Sequence, residues 1–304
     1  MLVFPNAKIN LGLFVTEKRP DGFHNIETIL FPIPLYDALE ITETIMSVET
    51  HGLASLYIHG IHIDGNPNEN LVYKAYQLLK NDFDLPNIRI DLLKKIPFGA
   101  GLGGGSADAV FMLKVLNEKF SLNISDEKLE SYARRIGSDC ACFVKNKPVF
   151  AYEKGDVFEP IDLDLSDYQL VLICPPIHIN TKMAYQNIVP RKTVMSSPST
   201  TLGISSVETS SCYFDLQKLP KTPVELWKSV LQNDFEPSVF VQYPILSDIK
   251  QKLYDVGAEY ASMSGSGSAM FGLFRRGVCN TPLQDIHNFL DITFKDCTVF
   301  CLNL

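Results

Sequence analysis

Apolar and polar residues alternate along the first part of this chain of 304 residues. Between residues 8 and 15 every second side chain is aliphatic, from Ile9 to Val15, and the segment 24–31 resumes an extended pattern. Alternation with a period of two predicts strands that bury one face. Because Arg19-Pro20-Asp21-Gly22 between them is typical of a turn, the two segments are predicted to form a β-hairpin.

The rest of the chain mixes strand and helix patterns. Apolar stripes predict helices at 70–80 and 106–119, and Ser125 is expected to cap a third helix that ends at Gly137. Extended patterns predict strands at 37–44, 54–63, 88–92, 142–144, 169–174, 258–262 and 269–274, with later helices at 224–231 and 245–256. We therefore expect an α+β protein with one domain at 1–155 and a second at 156–304. The segment 193–211, rich in Ser and Thr, is predicted to be an exposed loop.

Composition places the chain among globular proteins, with 46% hydrophobic and 20% charged residues. It contains neither an apolar run of bilayer length nor a signal peptide, so a cytoplasmic protein is expected. The seven cysteines are odd in number and scattered, which favours reduced thiols. A net charge of -8 argues against nucleic acid as a partner and requires a local positive site for an anionic substrate. Lys8, Lys94 and Lys95 lie nearest the motifs that could form such a site.

A glycine-rich run at 97–106 is the strongest chemical signal. Five glycines occupy seven positions from Gly99 to Gly105, between a predicted strand and a predicted helix, which is typical of a loop that binds phosphate through its backbone. A Walker loop is excluded because no lysine follows the last glycine. A dinucleotide fold lacks its acidic residue at a strand end, since Glu118 falls late in the helix, and the triplets of protein kinases are missing. A glycine loop without a ligand remains the alternative.

Three further segments carry candidate chemistry. Lys8 and Asn10 share one face of the first strand, Asp139 follows directly on the end of a helix, and a second small-residue loop lies at 262–268. Each has an ordinary structural explanation. The first pair could be a solvated strand face, the aspartate a turn former and the loop a plain hairpin turn.

The segments together resemble the GHMP kinases, the superfamily named for galactose, homoserine, mevalonate and phosphomevalonate. The resemblance rests on seven stretches: AKINLGLFV at 7–15, RPDGFHNIETIL at 19–30, ENL at 69–71, PFGAGLGGGSADA at 97–109, RIGSDCACF at 135–143, NTKMAY at 180–185 and MSGSGSAMF at 263–271. It is greatest to the branch whose acceptor is a cytidyl-diphosphate derivative of methylerythritol, in the non-mevalonate isoprenoid pathway. The resemblance implies an N-terminal domain like domain 2 of ribosomal protein S5 and a ferredoxin-like C-terminal domain.

The resemblance also implies catalytic and nucleotide-binding roles. Asp139 would take or orient the proton of the acceptor hydroxyl, and Lys8 beside it would stabilise transferred charge. ATP would be bound by Pro97, Gly99, Ala100, Gly101, Leu102, Gly103, Gly104, Gly105, Ser106, Asn70 and Lys94. Mg²⁺ is the expected second cofactor. Its protein ligands are not assigned, because Ala107 stands where a second serine often follows Ser106.

For the acceptor, the resemblance implies a cytosine held between the rings of Phe23 and Tyr185 and read by His24. Phe23 stands where a tyrosine is usual, which keeps the ring but removes a hydroxyl. The full set expected to contact the acceptor is Asn10, Phe23, His24, Tyr185, Asp139, Ser266 and Gly267.

The function expected from the sequence is ATP-dependent phosphorylation of the 2-hydroxyl of 4-diphosphocytidyl-2-C-methyl-D-erythritol. The alternatives are another kinase of the superfamily acting on homoserine or a sugar, and an inactive nucleotide-binding module. The partners expected are these small molecules, with no nucleic acid and no membrane. A monomer or a weak homodimer is expected.

Overall fold

The computed structural model describes residues 1–44, 54–63, 66–186, 188, 190–191, 214–277 and 283–304. The predicted loop at 193–211 therefore lies outside the described residues, as do Cys212 and Cys279. Strands β1 to β12 span Leu2–Val3, Asn6–Lys18, His24–Tyr36, Ala38–Glu43, Ala54–Gly60, Ile88–Lys94, Val149–Tyr152, Val157–Pro160, Tyr168–Cys174, Tyr260–Met263, Met270–Arg275 and Thr298–Asn303. Helices α1 to α9 span Leu71–Lys80, Gly104–Lys119, Asp126–Ile136, Cys142–Lys145, Thr181–Gln186, Trp227–Val230, Glu236–Gln242, Pro244–Asp255 and Leu283–Thr293.

The predicted hairpin is present as β2 and β3, which pair antiparallel with Lys8 opposite Pro32 and Asn10 opposite Leu30. The structure differs from the expected half-buried strand, because both faces of β2 are buried over most of its length. One face packs into the core through residues such as Ile9 and Leu11. The polar face is covered by the glycine loop and by the second small-residue loop, to which it is hydrogen-bonded.

The strands form three four-stranded sheets, ordered β1-β4-β6-β5, β2-β3-β7-β8 and β10-β11-β9-β12. In β6, Ile88, Ile90 and Leu92 are buried on one face, where they share a core with α1 and α2. The alternating burial is that of a sheet with one face packed against helices. A second core joins the two halves of the chain, since Ile9 of β2 belongs to the same cluster as Phe271 of β11.

The domain boundary at 155/156 stays a prediction. Strand β8 follows that boundary and pairs antiparallel with β7, so the first residues beyond it extend a sheet of the N-terminal half. The mixed sheets and helices agree with the predicted α+β class.

Local sequence explains where several helices begin and end. The Asn70 side chain accepts the backbone N–H of Val72, and the Ser125 hydroxyl accepts that of Lys128, so both helices start at polar caps. The strand predicted at 142–144 is wrong, because these residues form α4, which is followed by its C-cap Asn146 with φ of 51°. A short apolar run has no period that separates a buried strand from a buried helix.

The helix predicted at 224–231 is also different, since it is divided into a 3₁₀ turn at Val224–Leu226 and the short α6. No helix among the described residues is both long and apolar enough to span a bilayer. The five described cysteines, Cys140, Cys142, Cys174, Cys297 and Cys301, are all free thiols, as expected.

Candidate active site

The glycine loop connects β6 to α2 and is held by backbone contacts from both halves of the chain. The N–H of Lys8 donates to the carbonyl of Leu102 at 2.9 Å, and the N–H of Ala269 donates to that of Ala100 at 3.1 Å. Gly101 has φ of 78°, and a Cβ there would lie 2.1 Å from the carbonyl oxygen of Ser264. Only glycine fits this conformation and this close approach.

A cavity lies on each side of this loop. The cavity of about 560 Å³, termed here the acceptor cavity, is lined by Gly99, Gly101 and Gly103 and by side chains of both halves. The cavity of about 580 Å³, termed the donor cavity, is lined by Phe98 and Gly105. The N-terminus of α2 lies between them, capped by Gly103 without a side-chain hydrogen bond. Free N–H groups at such a helix start favour an anion.

Lys8 and Asn10 form the buried polar wall of the acceptor cavity. The Lys8 ammonium donates to Asn10 Oδ1 at 2.6 Å and to the carbonyl of Gly101 at 2.8 Å. The Asn10 amide donates in turn to Thr28 Oγ1 at 3.0 Å, which fixes its oxygen toward the lysine. Lys8 is only 6% exposed, and this burial lowers its pKa. The nearby Asp139 carboxylate raises the pKa of Lys8 and so offsets part of the effect of burial.

Asp139 lies in the turn after α3, half-buried and lining the acceptor cavity. Its Oδ1 accepts a hydrogen bond from the Ser106 hydroxyl, in the first turn of α2, at 3.0 Å. The carboxylate is thereby tied to the glycine loop. The structure thus brings the neighbouring Lys8 and Asn10 together with Asp139 and the loop, both of which are distant from them in the sequence.

Asn70, Lys94 and Gly105 line the donor cavity. The Lys94 ammonium forms ion pairs with the buried carboxylates of Asp37 and Asp108. Burial would lower the pKa of Lys94, but these two carboxylates raise it above its usual value. Its charge is therefore already balanced, so Lys94 is not the unpaired positive site that its position in the sequence indicated.

Asn70 and Lys95, which were also predicted near the nucleotide or as positive groups, make other contacts than Lys94. The Asn70 side chain caps α1 as well as facing the cavity. Lys95 lines neither cavity, and instead lies at a third one of about 400 Å³ together with Tyr36 and His287. The nucleotide-binding roles of Asn70 and Lys94 stay predictions.

Two of the aromatic rings in this region, those of Tyr185 and Phe235, line the acceptor cavity, whereas His24 and Phe23 do not. Tyr185 stacks on His24, with ring centroids 4.8 Å apart and planes at 16°. Its other contact is edge-on to Phe235, also at 4.8 Å. Burial and the charge of Lys18 lower the pKa of His24, which favours the neutral ring. Phe23 is 61% exposed, with the Lys154 ammonium 5.7 Å from its ring centroid.

The second small-residue loop closes the acceptor cavity. Gly265 and Ser266 line it, and the hydroxyls of Ser266 and Thr181 lie 3.0 Å apart. Gly267 lies against the side chains of Met263 and Ile179, so it contributes to packing beneath the loop.

Two contributions were missed by the sequence reasoning. His178 lines the acceptor cavity and stacks parallel to Phe98 of the glycine loop, with ring centroids 6.5 Å apart. Asn233 is buried and donates to carbonyls of the second small-residue loop. Neither residue belongs to a local pattern, because their partners are distant in the sequence.

Among the residues that the structure describes, no group of three His, Cys, Asp or Glu side chains is arranged to hold a metal ion. The oxygen atoms of Ser106 and Asp139 beside the loop are of the kind that Mg²⁺ prefers. Because Mg²⁺ usually keeps several waters and bridges substrate phosphates, this small donor set fits a magnesium ion held chiefly by phosphate.

The chain matches known proteins over nearly its whole length. Family models of the GHMP kinases N terminal domain and of the GHMP kinases C terminal part match residues 70–147 and 217–278. A 4-diphosphocytidyl-2-C-methyl-D-erythritol kinase of Bacteroides fragilis is 52% identical over 274 residues, which cover 90% of this chain and 92% of that protein.

Solved structures of kinases have the same fold as this chain. A 4-(cytidine 5'-diphospho)-2C-methyl-D-erythritol kinase superposes with a TM-score of 0.72 at 25% identity, with all of both chains covered. The mevalonate kinase of Methanococcus jannaschii has a TM-score of 0.69 at 14% identity, covering all of this chain and 98% of its own, and shows the shared fold.

The two halves and the glycine loop, which contacts both, are thus those of a GHMP kinase, as the sequence resemblance implied. More narrowly, the chain belongs to the family of 4-diphosphocytidyl-2-C-methyl-D-erythritol kinases, because a relative that is half identical covers nine-tenths of it. It is an enzyme of the kinase class.

Proposed function

We propose that the protein transfers the γ-phosphoryl group of ATP to the 2-hydroxyl of 4-diphosphocytidyl-2-C-methyl-D-erythritol, releasing ADP. The observation that carries this proposal is the glycine loop between two cavities, with Lys8 and Asp139 together on one side of it. Phosphoryl transfer needs a donor and an acceptor held in line, and a loop with a cavity on each side can hold the phosphates between them.

In the proposed reaction, the acceptor hydroxyl lies beside Asp139 in the acceptor cavity. The carboxylate takes or orients the hydroxyl proton as the oxygen bonds to the γ-phosphorus and the bond from that phosphorus to the β-phosphate oxygen breaks. The hydrogen bond from Ser106 holds the carboxylate toward the loop. The Lys8 ammonium, fixed by Asn10 and Gly101, stabilises the charge on the transferred group.

The donor is expected to bind with its phosphates along the loop and at the start of α2. Asn70 and Lys94 line the cavity on that side, where we propose that the nucleoside lies. Mg²⁺ would be held by the phosphates together with the Ser106 hydroxyl, and it would neutralise charge on the phosphate oxygens.

Acceptor recognition is proposed to use the aromatic end of the acceptor cavity. Support for this comes from Tyr185, which lines the cavity and stacks with one planar ring, that of His24. We propose that the cytosine occupies this region, with Phe23 reaching it from the exposed turn and Lys154 close by. A base stacked on an aromatic ring gains about 1–3 kcal/mol.

A coupled assay of ATP consumption tests the proposal. The purified protein is supplied separately with 4-diphosphocytidyl-2-C-methyl-D-erythritol, homoserine, mevalonate and galactose, and ADP release is followed. We expect saturable turnover with the first acceptor alone. Turnover with homoserine or a sugar instead would assign the chain to a different substrate, and no turnover with any acceptor would favour a nucleotide-binding module.

Assay of the Tyr185→Ala variant under the same conditions tests the acceptor site. Loss of one stacking ring should raise the KM of the cytidyl acceptor about tenfold or more, while the KM of ATP stays constant. Tyr132→Ala is the matched control, since Tyr132 is buried in the N-terminal core and lines neither cavity. Equal effects of the two substitutions would remove Tyr185 from the acceptor site.

Gly105→Val tests the role of the glycine loop. A Cβ at Gly105 meets nothing closer than Leu71, at 3.8 Å, so the chain should fold, while the added branches extend toward the donor cavity. We expect the Kd of ATP, measured by calorimetry, to rise by at least tenfold, because the phosphates lose their close approach to the backbone.

The neighbouring glycine is unsuitable for this test. A Cβ at Gly104 would lie 2.8 Å from a methyl carbon of Ile96, so Gly104→Val would disturb folding and binding together. An unchanged Kd in a folded Gly105→Val variant would place the nucleotide elsewhere.

A further inference from the structure

The segment 232–236, here called the Asn233 clamp, lies between β2 and the second small-residue loop, with Asn233, Phe235 and Glu236 buried. Its backbone pairs with Leu13 of β2: the N–H of Leu13 donates to the carbonyl of Gln232, and the N–H of Asp234 donates to that of Leu13, each at 2.9 Å. Asn233 itself is only 2% exposed. The clamp is therefore fixed to the strand that carries Lys8 and Asn10.

The Asn233 amide uses both ends of its side chain. Its Nδ2 donates to the carbonyls of Met263 and Gly265, each at 2.8 Å, and its Oδ1 accepts the N–H of Phe235 at 3.0 Å. A side-chain amide offers two donors and an acceptor at once. Neither a carboxylate nor a single hydroxyl can donate to both carbonyls, whereas the amide does so and also accepts the N–H of Phe235.

Glu236 at the other end of the clamp supports the same loop. Its Oε1 accepts the N–H of Met263 at 2.9 Å and the hydroxyl of Ser262 at 3.0 Å, and its Oε2 pairs with Lys250 at 2.5 Å. Asn233 and Glu236 of the clamp thus both hold residues 262–265. Buried hydrogen bonds from the clamp therefore hold the loop that lines the C-terminal side of the acceptor cavity.

The loop that the clamp holds reaches the catalytic groups directly. The Ser264 hydroxyl donates to the carbonyl of Gly101 at 2.8 Å, and this carbonyl also accepts the Lys8 ammonium. The same hydroxyl accepts the N–H of Asn10 at 3.3 Å. The chain of contacts runs from Asn233 through Ser264 to Gly101, and from there to Lys8.

We infer that Asn233 is a positioning residue for phosphoryl transfer: it sets the distance between the second small-residue loop and the glycine loop, and so the place of Lys8 relative to the acceptor. This inference rests on the proposed function. Displacement of about 1 Å in a reacting geometry costs on the order of a hundredfold in rate. The donor cavity contains no residue of the clamp or of 262–265, so ATP binding is predicted not to depend on Asn233.

The test compares Asn233→Ala with Asn117→Ala in steady-state kinetics and thermal unfolding. Asn117 is a matched control because its amide also donates to one carbonyl, of Ile124 at 3.0 Å, and accepts one N–H, also of Ile124 at 2.9 Å, but lines neither cavity. Both variants are expected to unfold at lower temperature. Only Asn233→Ala is expected to reduce kcat, by at least tenfold, and to raise the acceptor KM severalfold with an unchanged ATP KM.

A kcat per folded molecule equal to that of Asn117→Ala would overturn the inference, as would equal changes in both KM values. Should Asn233→Ala not fold, Asn233→Ser decides in its place, because one hydroxyl can satisfy one of the two carbonyls, and a kcat between wild type and a tenfold loss is expected; a wild-type kcat would overturn the inference. An inactive wild-type protein would instead contradict the proposed function.

Discussion

Asp139→Asn is expected to lower kcat by about 10²- to 10⁴-fold, the range for loss of a positioned general base, which corresponds to about 3–5 kcal/mol in the activation barrier. Asparagine keeps the shape of the side chain, and its Oδ1 can still accept the hydrogen bond from Ser106. The fold and the glycine loop should therefore be preserved. The Kd of ATP is expected to stay within about twofold of the wild-type value, because the donor cavity does not include Asp139.

Asp164→Asn is the matched control for this variant. Asp164 likewise accepts a serine hydroxyl, that of Ser166 at 3.1 Å, but it lies on the surface and lines neither cavity. Single-turnover phosphorylation measures the chemical step for both variants. Full activity of Asp139→Asn, or an equal loss in Asp164→Asn, would show that the carboxylate takes no part in transfer.

Lys8→Met is expected to lower kcat by about 10²- to 10³-fold, the usual effect of removing one donor that stabilises charge in the transition state. Methionine is close to lysine in length, so the buried volume stays filled. Asn10 Oδ1 loses its partner, while the Gly101 carbonyl keeps the Ser264 hydroxyl. The free energy of unfolding should therefore fall by about 1–3 kcal/mol, as for one unpaired buried acceptor.

Lys114→Met separates the effect on stability from the effect on rate. Burial lowers the pKa of Lys114 as well, and its ammonium donates to the carbonyl of Val144 at 3.1 Å, away from both cavities. This variant should lose stability without losing kcat. A Lys8→Met enzyme as active as Lys114→Met would exclude a catalytic role for Lys8.

The pH profile gives a second readout for Lys8. Because transfer needs the ammonium form, and burial lowers its pKa below the ordinary 10.5, wild-type kcat should fall as pH rises through that lowered value. In Lys8→Met the alkaline limb should disappear. In Asp139→Asn it should move to lower pH, since the carboxylate that raises the Lys8 pKa is gone.

The hairpin, the helix caps and the order of the functional segments were predictable because each depends on neighbours in the sequence. Asn70 and Ser125 cap their helices through contacts two and three residues away. The glycine loop was predictable as a phosphate-binding loop from its own residues and from the strand and helix beside it, although contacts from distant segments also hold it. The resemblance then supplied the family, which the comparisons confirm.

Other features depend on contacts that no local pattern records. Lys94 meets Asp37, which is 57 residues away, so its balanced charge was not visible from the run Lys94-Lys95. The partners of Asn233 lie 30 and 32 residues further on. Burial of the polar face of β2 also comes from distant loops, so the expected exposed face became the wall of a cavity.

The close approach of Gly101 to Ser264 has a consequence for how this sequence can change over evolutionary time. The backbone of the C-terminal half leaves no room for a Cβ at Gly101, because that atom would lie 2.1 Å from the carbonyl oxygen of Ser264. At least one glycine of the loop at 97–106 is therefore needed for contact between the two halves, and not for phosphate binding alone. Because φ at Gly101 is also 78°, a backbone change near 264 would not by itself admit a side chain, so glycine should persist at 101 among relatives.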